Sequence, residues 1–363
     1  MAEPLKDMVD REVVEEIADR VAAERSDFAT ASFVDDLMAE LPDLELKPRI
    51  AAIARRLRAG LPDDYRTALK TIVSVAKQEP PIGGWAAWPL CAFVEDFGVE
   101  HPDVSLPAME HLTKRMSCEF AIRPFLRDHW DAAYATLLAF TAHEDEAVRR
   151  LPTEGTRPRL PWGGRVKRLT EDPEPGLALL ERLRHDPSET VRRSVANHLN
   201  DIAKDHPDVV TATLERWVDE SATDPKMVSH ALRTLVKNGN PAALRLLGFT
   251  TDPEVEIVDF LVTPRRVEMG DQIELRATLR SLSKSTQRLV VDFVIHHVNA
   301  SGKTSPKVFK WSTIDLAAGE TSELTKRRRI QMATTRTYHS GRHKVELQVA
   351  GAIVAIGSFD VVV

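Results

Sequence analysis

The stretch DPSETVRRSVANHLNDIAKDHPDVV, residues 186–210, decides how the first two thirds of this chain are read. Asp186 is a candidate N-cap, Pro187 suits the first helical position, and Glu189 completes a capping-box pattern. Val191, Val195, Leu199 and Ile202 recur at helical spacing and form an apolar stripe, whereas Arg193, Asn197, Asn200, Asp201 and Lys204 fall on a polar face. His206-Pro207 ends the helix. The unit has relatives: HEDEAVRR (143–150) aligns with DPSETVRR (186–193), Val148 preceding Val191 by 43 residues, and DPKMVSHALRTLVKNGNPAALRLL begins a third copy at Asp224. A period near 40 built from helix pairs predicts a HEAT-like α-α solenoid, in which each pair buries its apolar face by stacking on its neighbours.

Outward from that stretch, residues 1–253 read as helices separated by short Pro- and Asp-containing turns. After about residue 254 the pattern turns to alternation. VEIVDFLVTP, DQIELRATLRS, RLVVDFVIHHVN, KVFKWSTIDL, ETSELTKRRRIQ, GRHKVELQVA and AIVAIGSFDVVV are seven strand-like runs, which predicts a small immunoglobulin-like β-sandwich over residues 254–363. The Cys-Trp-Cys hallmark of antibody domains is absent. The fold class expected is therefore mainly α, a HEAT-like solenoid followed by the sandwich.

Composition bounds the function. The chain has 363 residues, 43% of them hydrophobic, enough for two cores. MAEPLKDMVDREVVEE is charged from its start, without an apolar leader, and no uncharged run approaches a membrane span, so a soluble cytoplasmic protein acting at the nucleoid, with no membrane partner, is expected. The two cysteines, Cys91 and Cys118, are too few for a disulfide framework or a cysteine zinc site; no metal and no cofactor are expected. The net charge of -6 hides an asymmetry: from residue 254 onward Lys+Arg outnumber Asp+Glu by 16 to 12, and before it acids prevail by 43 to 33. Phosphate binding depends on local clusters, not on that total.

The densest cluster is RRLPTEGTRPRLPWGGRVKR (149–168), with seven basic residues, three prolines and three glycines around one acid, Glu154, and one indole, Trp162. Arg149, Arg150, Arg157, Arg159, Arg165, Lys167 and Arg168 suit a phosphate-attracting surface. The run after Arg150 is not expected to continue a regular helix, because Pro152, Pro158 and Pro161 interrupt it. A carboxylate in such a surface repels phosphate, so it calls for another partner. A cationic group is one, with Trp162 as a flat face for stacking or cation-π contact.

SCEFAIRPFLRDH (117–129), VRRLPTEGTRPRLPWG (148–163) and DPSETVRRSVANHLNDIAKDHP (186–207) resemble the motifs of the AlkC branch of the HEAT-like DNA alkylation-repair glycosylases, relatives of AlkD. The resemblance covers roughly residues 60–250, and the carboxy-terminal sandwich is also like that of AlkC members. It implies excision of N-alkylated, cationic bases of the 3-methyladenine and 3-methylcytosine type from double-stranded DNA, without flipping the base into a pocket. Carried residue by residue, it places catalytic carboxylates at Glu119, Glu154 and Asp201 and the lesion contact at Trp162. Glu154 and Asp201 would be the principal electrostatic and water-activating groups, with Glu119 in support. DNA contacts are expected from Arg149, Arg150, Arg157, Arg159, Arg193 and Lys204, and the protein is expected to act as a monomer.

Without the resemblance, Glu154 and Glu119 read as solvated helix-terminal acids or partners of nearby arginines, Asp201 as an ordinary polar-face residue meeting solvent or pairing with Lys204, and Trp162 as loop packing. Trp85 and Trp88 read as core or rim aromatics. A non-catalytic nucleic-acid binder and a protein-interaction scaffold remain the alternatives. In the second domain His296 and His297 lie on opposite faces of one strand and make poor co-ligands; one is expected buried and one exposed. Lys326-Arg327-Arg328-Arg329 fits a charged edge strand, with a DNA contact as the alternative. Lys303 and Lys307, and TTRTYHSGRH (334–343) with Arg336, are low-specificity candidates for contact with the duplex.

Overall fold

The structure is a computed structural model that describes residues 4–220, 223–331 and 337–363. The chain divides into two compact units, Met1–His206 with Thr223–Ala231, and Pro207–Ala222 with Leu232–Val363. The helices, in chain order, are α1 (Arg11–Glu24), α2 (Thr30–Glu40), α3 (Leu46–Gly60), α4 (Tyr65–Lys77), α5 (Gly84–Phe97), α6 (Pro102–Thr113), α7 (Ile122–Asp128) and α8 (Trp130–Phe140). They continue as α9 (Glu146–Gly155), α10 (Lys167–Glu171), α11 (Glu174–Leu183), α12 (Glu189–Ile202), α13 (Pro207–Glu220), α14 (Pro225–Ala231), α15 (Arg233–Lys237) and α16 (Pro241–Leu246). Among the described residues no helix is long and apolar enough to cross a membrane.

In the first unit the three sequence copies become α9, α12 and α14, with α12 packed against both of the others. Val191, Val195, Leu199 and Ile202 are buried, as the stripe predicts. The arginine that follows the aligned valine stitches the copies together. Arg149 donates to the carbonyls of His143 and Glu144 and, through two bonds of 2.6 and 3.0 Å, to the Asp186 carboxylate of the next copy. Arg192 repeats the pattern with the carbonyls of Asp186 and Pro187 and with Asp224, which opens the third copy. Each guanidinium thus satisfies helix-entry carbonyls and ties one repeat to the next.

Two local expectations are corrected. Asp186 does not cap α12: its carboxylate accepts from Ser188 N–H at 2.8 Å and from Arg149, and the helix begins at Glu189 with Ser188 as N-cap. The bond to Arg149 and the turn at Ser188 occupy the oxygens a capping box needs. The prolines also do not stop α9 at Arg150. The helix runs through Pro152 to Gly155, capped at its start by Asp145, and the hydroxyls of Thr153 and Thr156 donate to the carbonyls of Arg150 and Pro152. Burial of Leu151, Pro152, Thr153, Glu154 and Gly155 outweighs the one ladder bond Pro152 cannot make.

The second unit contains β1 (Val255–Thr263), β2 (Arg266–Glu268), β3 (Gln272–Ser281), β4 (Gln287–Val298), β5 (Thr304–Leu316), β6 (Thr321–Arg329), β7 (Gly341–Val349) and β8 (Ala352–Val362). Seven of these are the runs read from sequence; β2 is added by parallel pairing with β8. They form a three-stranded sheet, β1-β3-β6, and a five-stranded sheet, β2-β8-β7-β4-β5. Alternate residues Ile273, Leu275, Ala277 and Leu279 of β3 face Leu289, Val291, Phe293 and Ile295 of β4 in one core. β6 is an edge strand, so the run Lys326–Arg329 lies on an edge as expected. His297 is buried and His296 half-buried, 3.0 Å from Glu346.

β4 is buried on both faces, in keeping with its near-continuous apolar run from Leu289 to Ile295, broken only by Asp292. Val236, Leu244 and Phe249 pack with Val290 and Ala350 against its other face. Gly239 and Gly351, at φ +68° and +82°, allow that approach, since a Cβ on Gly351 would lie 2.2 Å from the Cα of Gly239. The change from helix to strand falls between Leu246 and Val255, but α13, α15 and α16 are grouped with the sheets in the second unit.

Candidate active site

Three carboxylates from three segments converge in the first unit. Glu154 sits on the last turn of α9, Asp201 on the last turn of α12, and Glu119 in the turns that lead into α7. Arg157, in the turn after α9, joins two of them. Its Nε lies 2.8 Å from Asp201 Oδ2 and its Nη1 lies 3.0 Å from Glu154 Oε2. Arg150, one turn before Glu154 on α9, reaches Glu154 Oε1 at 3.3 Å and Glu119 Oε2 at 3.4 Å. Lys204 reaches Asp201 Oδ1 at 3.0 Å, and Ser117 donates to Glu119 at 2.9 Å. Glu154 is 4% exposed, Asp201 1% and Arg157 9%, so these charges are held out of water and depend on one another.

The electrostatics follow from burial and pairing. Burial raises the Glu119 carboxyl above the ordinary carboxylate range and the charge of Glu154 adds to it, against the pull of Arg150. Burial opposes the charge of Arg157, but the hydrogen bond to Asp201 and the charge of Glu154 raise its pKa. His198, buried on α12, is pushed down to about 4 by burial; as the neutral imidazole it donates from Nδ1 to the Thr153 carbonyl at 3.0 Å. The hydroxyls of Thr153 and Ser194 bond beside it, so α9 and α12 are locked at the level of the carboxylates. Three carboxylates face three cations: the cluster is balanced when all are ionised.

The structure separates the arginines that sequence grouped as a phosphate surface. Arg149 is committed to Asp186 and two carbonyls, and Arg157 is buried between carboxylates; both hold the protein's own groups instead of facing outward. Asp201 and Asn200, read as part of a polar face, are buried, and Arg157 pairs with Asp201 there, as does Lys204. Arg159 forms a two-bond pair with Asp205 at 3.0 and 2.6 Å near the surface. Arg193 is exposed and lines a cleft of 280 Å³ with Arg192, Lys226 and Asp224. Arg165 and Lys167 are exposed, and Arg168 lies 4.0 Å from the ring centre of Trp130. Lys303 and Lys307 are exposed in the second unit, and Arg336 lies outside the described residues.

Trp162 is not packed on the helices. It is 61% exposed, and its backbone is left-handed at φ +62°, a conformation that costs a non-glycine residue about 1–2 kcal/mol. Trp88, by contrast, is buried and stacks on Phe120 with ring centres 5.7 Å apart, and Trp85 is half-buried beside it.

Sequence reasoning missed what holds this loop. The buried Arg123 on α7 donates to the carbonyls of Gly155 at 2.8 Å, Arg157 at 3.0 Å and Gly164 at 2.7 Å, and burial lowers its pKa to about 10, which leaves it charged at neutral pH. Lys47 on α3 donates to the Trp162 carbonyl at 3.0 Å. Glu95 on α5, another acid raised by burial and offset by Lys47, lines a cavity of 160 Å³ with Lys47, Phe120, Arg123 and Gly163. Arg123 stands inside the quoted SCEFAIRPFLRDH, but nothing in its spacing marks a donor to carbonyls more than 30 residues away.

The family model described as "DNA alkylation repair enzyme" matches residues 115–235, the segment that carries all three carboxylates. The model for the C-terminal Ig-like domain of the uncharacterised protein YhaZ matches residues 256–363. The uncharacterized protein YhaZ of Bacillus subtilis (strain 168) is 33% identical over 350 residues, covering 96% of this chain and 97% of its own. The Pseudomonas fluorescens alkylpurine DNA glycosylase AlkC, solved bound to DNA containing an abasic site analog, superposes with a TM-score of 0.92 at 35% identity, covering 99% of this chain and 100% of its own. The chain belongs to the AlkC family. As an AlkC-family protein it combines helical repeats with an immunoglobulin-like domain, and its carboxylates, Trp162 and the two loop-holding cations all belong to the first unit.

Proposed function

We propose that the protein is a monofunctional DNA glycosylase that hydrolyses the N-glycosidic bond of cationic N-alkylated bases, of the 3-methyladenine and 3-methylcytosine type, in double-stranded DNA. The observation that carries the reading is the convergence of Glu119, Glu154 and Asp201 on Arg150 and Arg157. A base that already carries positive charge leaves without a strong acid. As the bond breaks, its electron pair goes to the base, which departs neutral, and cationic character passes to the sugar at C1′. Carboxylates fixed in a water-poor site stabilise that charge, because their orientation is set before the reaction. Glu154 and Asp201 are assigned this work, one of them also taking the proton of the water that attacks C1′. Glu119 supports them, and Trp162 meets the lesion nucleotide.

Arg157 pairs with the two principal carboxylates and aims them. Arg150 holds Glu119 and Glu154 at longer range and is half-buried; a cationic lesion replaces it at the carboxylates while its guanidinium turns to a phosphate. Arg193, Arg159 and Lys204 are assigned to the DNA backbone, with Lys303 and Arg336 as further contacts from residues 254–363. The helical residues 1–253 form the catalytic domain in this reading, and the protein acts as a monomer in the cytoplasm. Incubation with methylated duplex DNA, with chromatographic measurement of released bases, tests it. Release of 3-methyladenine or 3-methylcytosine is expected; binding without release of any alkylated base would leave a non-catalytic DNA-binding protein.

A further inference from the structure

Resting on the reading of Trp162 as the lesion contact, we propose that Lys47 is a positioning residue that fixes the indole of Trp162 by holding its main-chain carbonyl. The indole is mostly exposed, so packing does not set its place, and the next two residues, Gly163 and Gly164, have no side chains with which to anchor the turn. The backbone at Trp162 is left-handed, a state that persists in a non-glycine residue only where the surroundings enforce it. The enforcing bond is from Lys47 Nζ to the Trp162 carbonyl, 3.0 Å long and bridging 115 positions of sequence.

Lys47 is itself held. Its ammonium lies 4.5 Å from the ring centre of Phe120, which stacks on the buried Trp88. Glu95 on α5 lines one cavity with Lys47, so the charge of Lys47 is compensated on the protein side. Two residues further along the loop, Arg123 binds the Gly164 carbonyl. Two cations on separate helices thus grip the turn on either side of Gly163. The competing role for an exposed lysine here is a direct phosphate contact, and the two roles differ in what they do when the indole is gone.

The test uses full-length protein labelled with fluorotryptophan, the Trp162 signal being assigned by its loss in Trp162→Phe. Lys47→Met is expected to shift or broaden that signal in the free protein. It should slow single-turnover release from methylated duplex by about 10-fold when Trp162 is present and by less than about 2-fold in a Trp162→Ala background. DNA affinity should change by less than about 2-fold, and Lys47→Arg should recover much of the rate. An unchanged fluorine signal overturns the proposal. So does an equal loss in both backgrounds, or weaker binding with a shallower salt dependence, each of which marks a phosphate contact. If Trp162→Ala excises at the unaltered rate, the lesion-contact reading fails instead, and the fluorine signal alone still decides whether Lys47 sets the indole.

Discussion

The guanidinium of Arg157 lies 2.8 Å from the carboxylate of Asp201, a residue 44 positions away on another repeat. Both are buried, and the same guanidinium also holds Glu154. An arginine that reads in sequence as one of seven phosphate binders is therefore the centre of the carboxylate cluster. Replacing it with an apolar residue removes the partner of two buried acids. Arg157→Met should destabilise the first unit by about 3–5 kcal/mol. Arg159→Ala, at a pair nearer the surface, should cost about 1 kcal/mol or less. Thermal melts compare the two; equal effects would refute the central place given to Arg157.

Glu154→Gln and Asp201→Asn should each lower single-turnover excision by about 10²-fold, the scale of one preorganised electrostatic contact. The double variant should lose less than the product of the two, because both residues act on one charge and share Arg157. DNA binding should be equal or tighter, since removing negative charge relieves repulsion by phosphate. Unchanged excision in the double variant would remove both residues from the reaction.

Glu119 gives a pH signature. Burial, then the charge of Glu154, raises its pKa in the folded protein, so its ionised form is lost on acidification sooner than that of a free carboxyl. Excision should decline on the acid side of a single-turnover pH profile, and Glu119→Gln should lower the plateau and flatten that limb. A limb of unaltered position in the variant would assign the titration elsewhere. For stability the sign is opposite: with the folded value raised above the unfolded one, the contribution of Glu119 is present at low pH and is lost as pH rises.

In the second unit Asp292 is 2% exposed, and burial raises its carboxyl to about 6 against the attraction of Lys310 and Lys237. One of its oxygens has no hydrogen-bond partner among the described residues. Its contribution to stability is present below the unfolded value and lost as pH rises through about 6. Asp292→Asn should accordingly stabilise this unit by about 1–3 kcal/mol at neutral pH and by almost nothing near pH 4. Urea melts at the two pH values measure the difference; an equal gain at both would refute the titration.

Arg193 and Arg149 make a contrast of a different kind. Arg193 is exposed beside a cleft, and Arg149 is bonded to Asp186 and two carbonyls. Arg193→Ala should weaken DNA binding and reduce the slope of log affinity against log salt by about 0.9. Arg149→Ala should leave the slope unaltered and lower the melting temperature. Both outcomes are read from binding isotherms at several salt concentrations together with thermal melts.

Much of this organisation is legible in the chain. The spacing of Val191, Val195, Leu199 and Ile202 marks a helix, the recurrence of Val-Arg-Arg marks the repeat, and alternation after residue 254 marks seven strands that all form. These signals are periodic and local, so neighbours a few residues apart suffice to state them. The motifs around Glu119, Glu154 and Asp201 likewise indicate which acids to examine. Local signals fail where distant segments compete for the same groups. Asp186 carries capping chemistry but spends it on Arg149, and Pro152 carries breaking chemistry but is overruled by burial of the turn around it. The near-continuous apolar run of β4 fits burial on both faces but does not say that Val236, Leu244 and Phe249, which precede the sheets, supply the second cover.

By itself, then, the sequence determined the helical repeats, the strand runs and the three acids. The tertiary structure decided which cations those acids meet, that Arg149 and Arg157 serve the protein's own carboxylates, and that Trp162 stands exposed on a turn gripped by Lys47 and Arg123. The physical reason is range. Periodicity is set by the geometry of the backbone within a few residues, whereas the partner of a buried charge is chosen by whichever opposite charge or carbonyl the packing of distant repeats brings within about 3 Å of it.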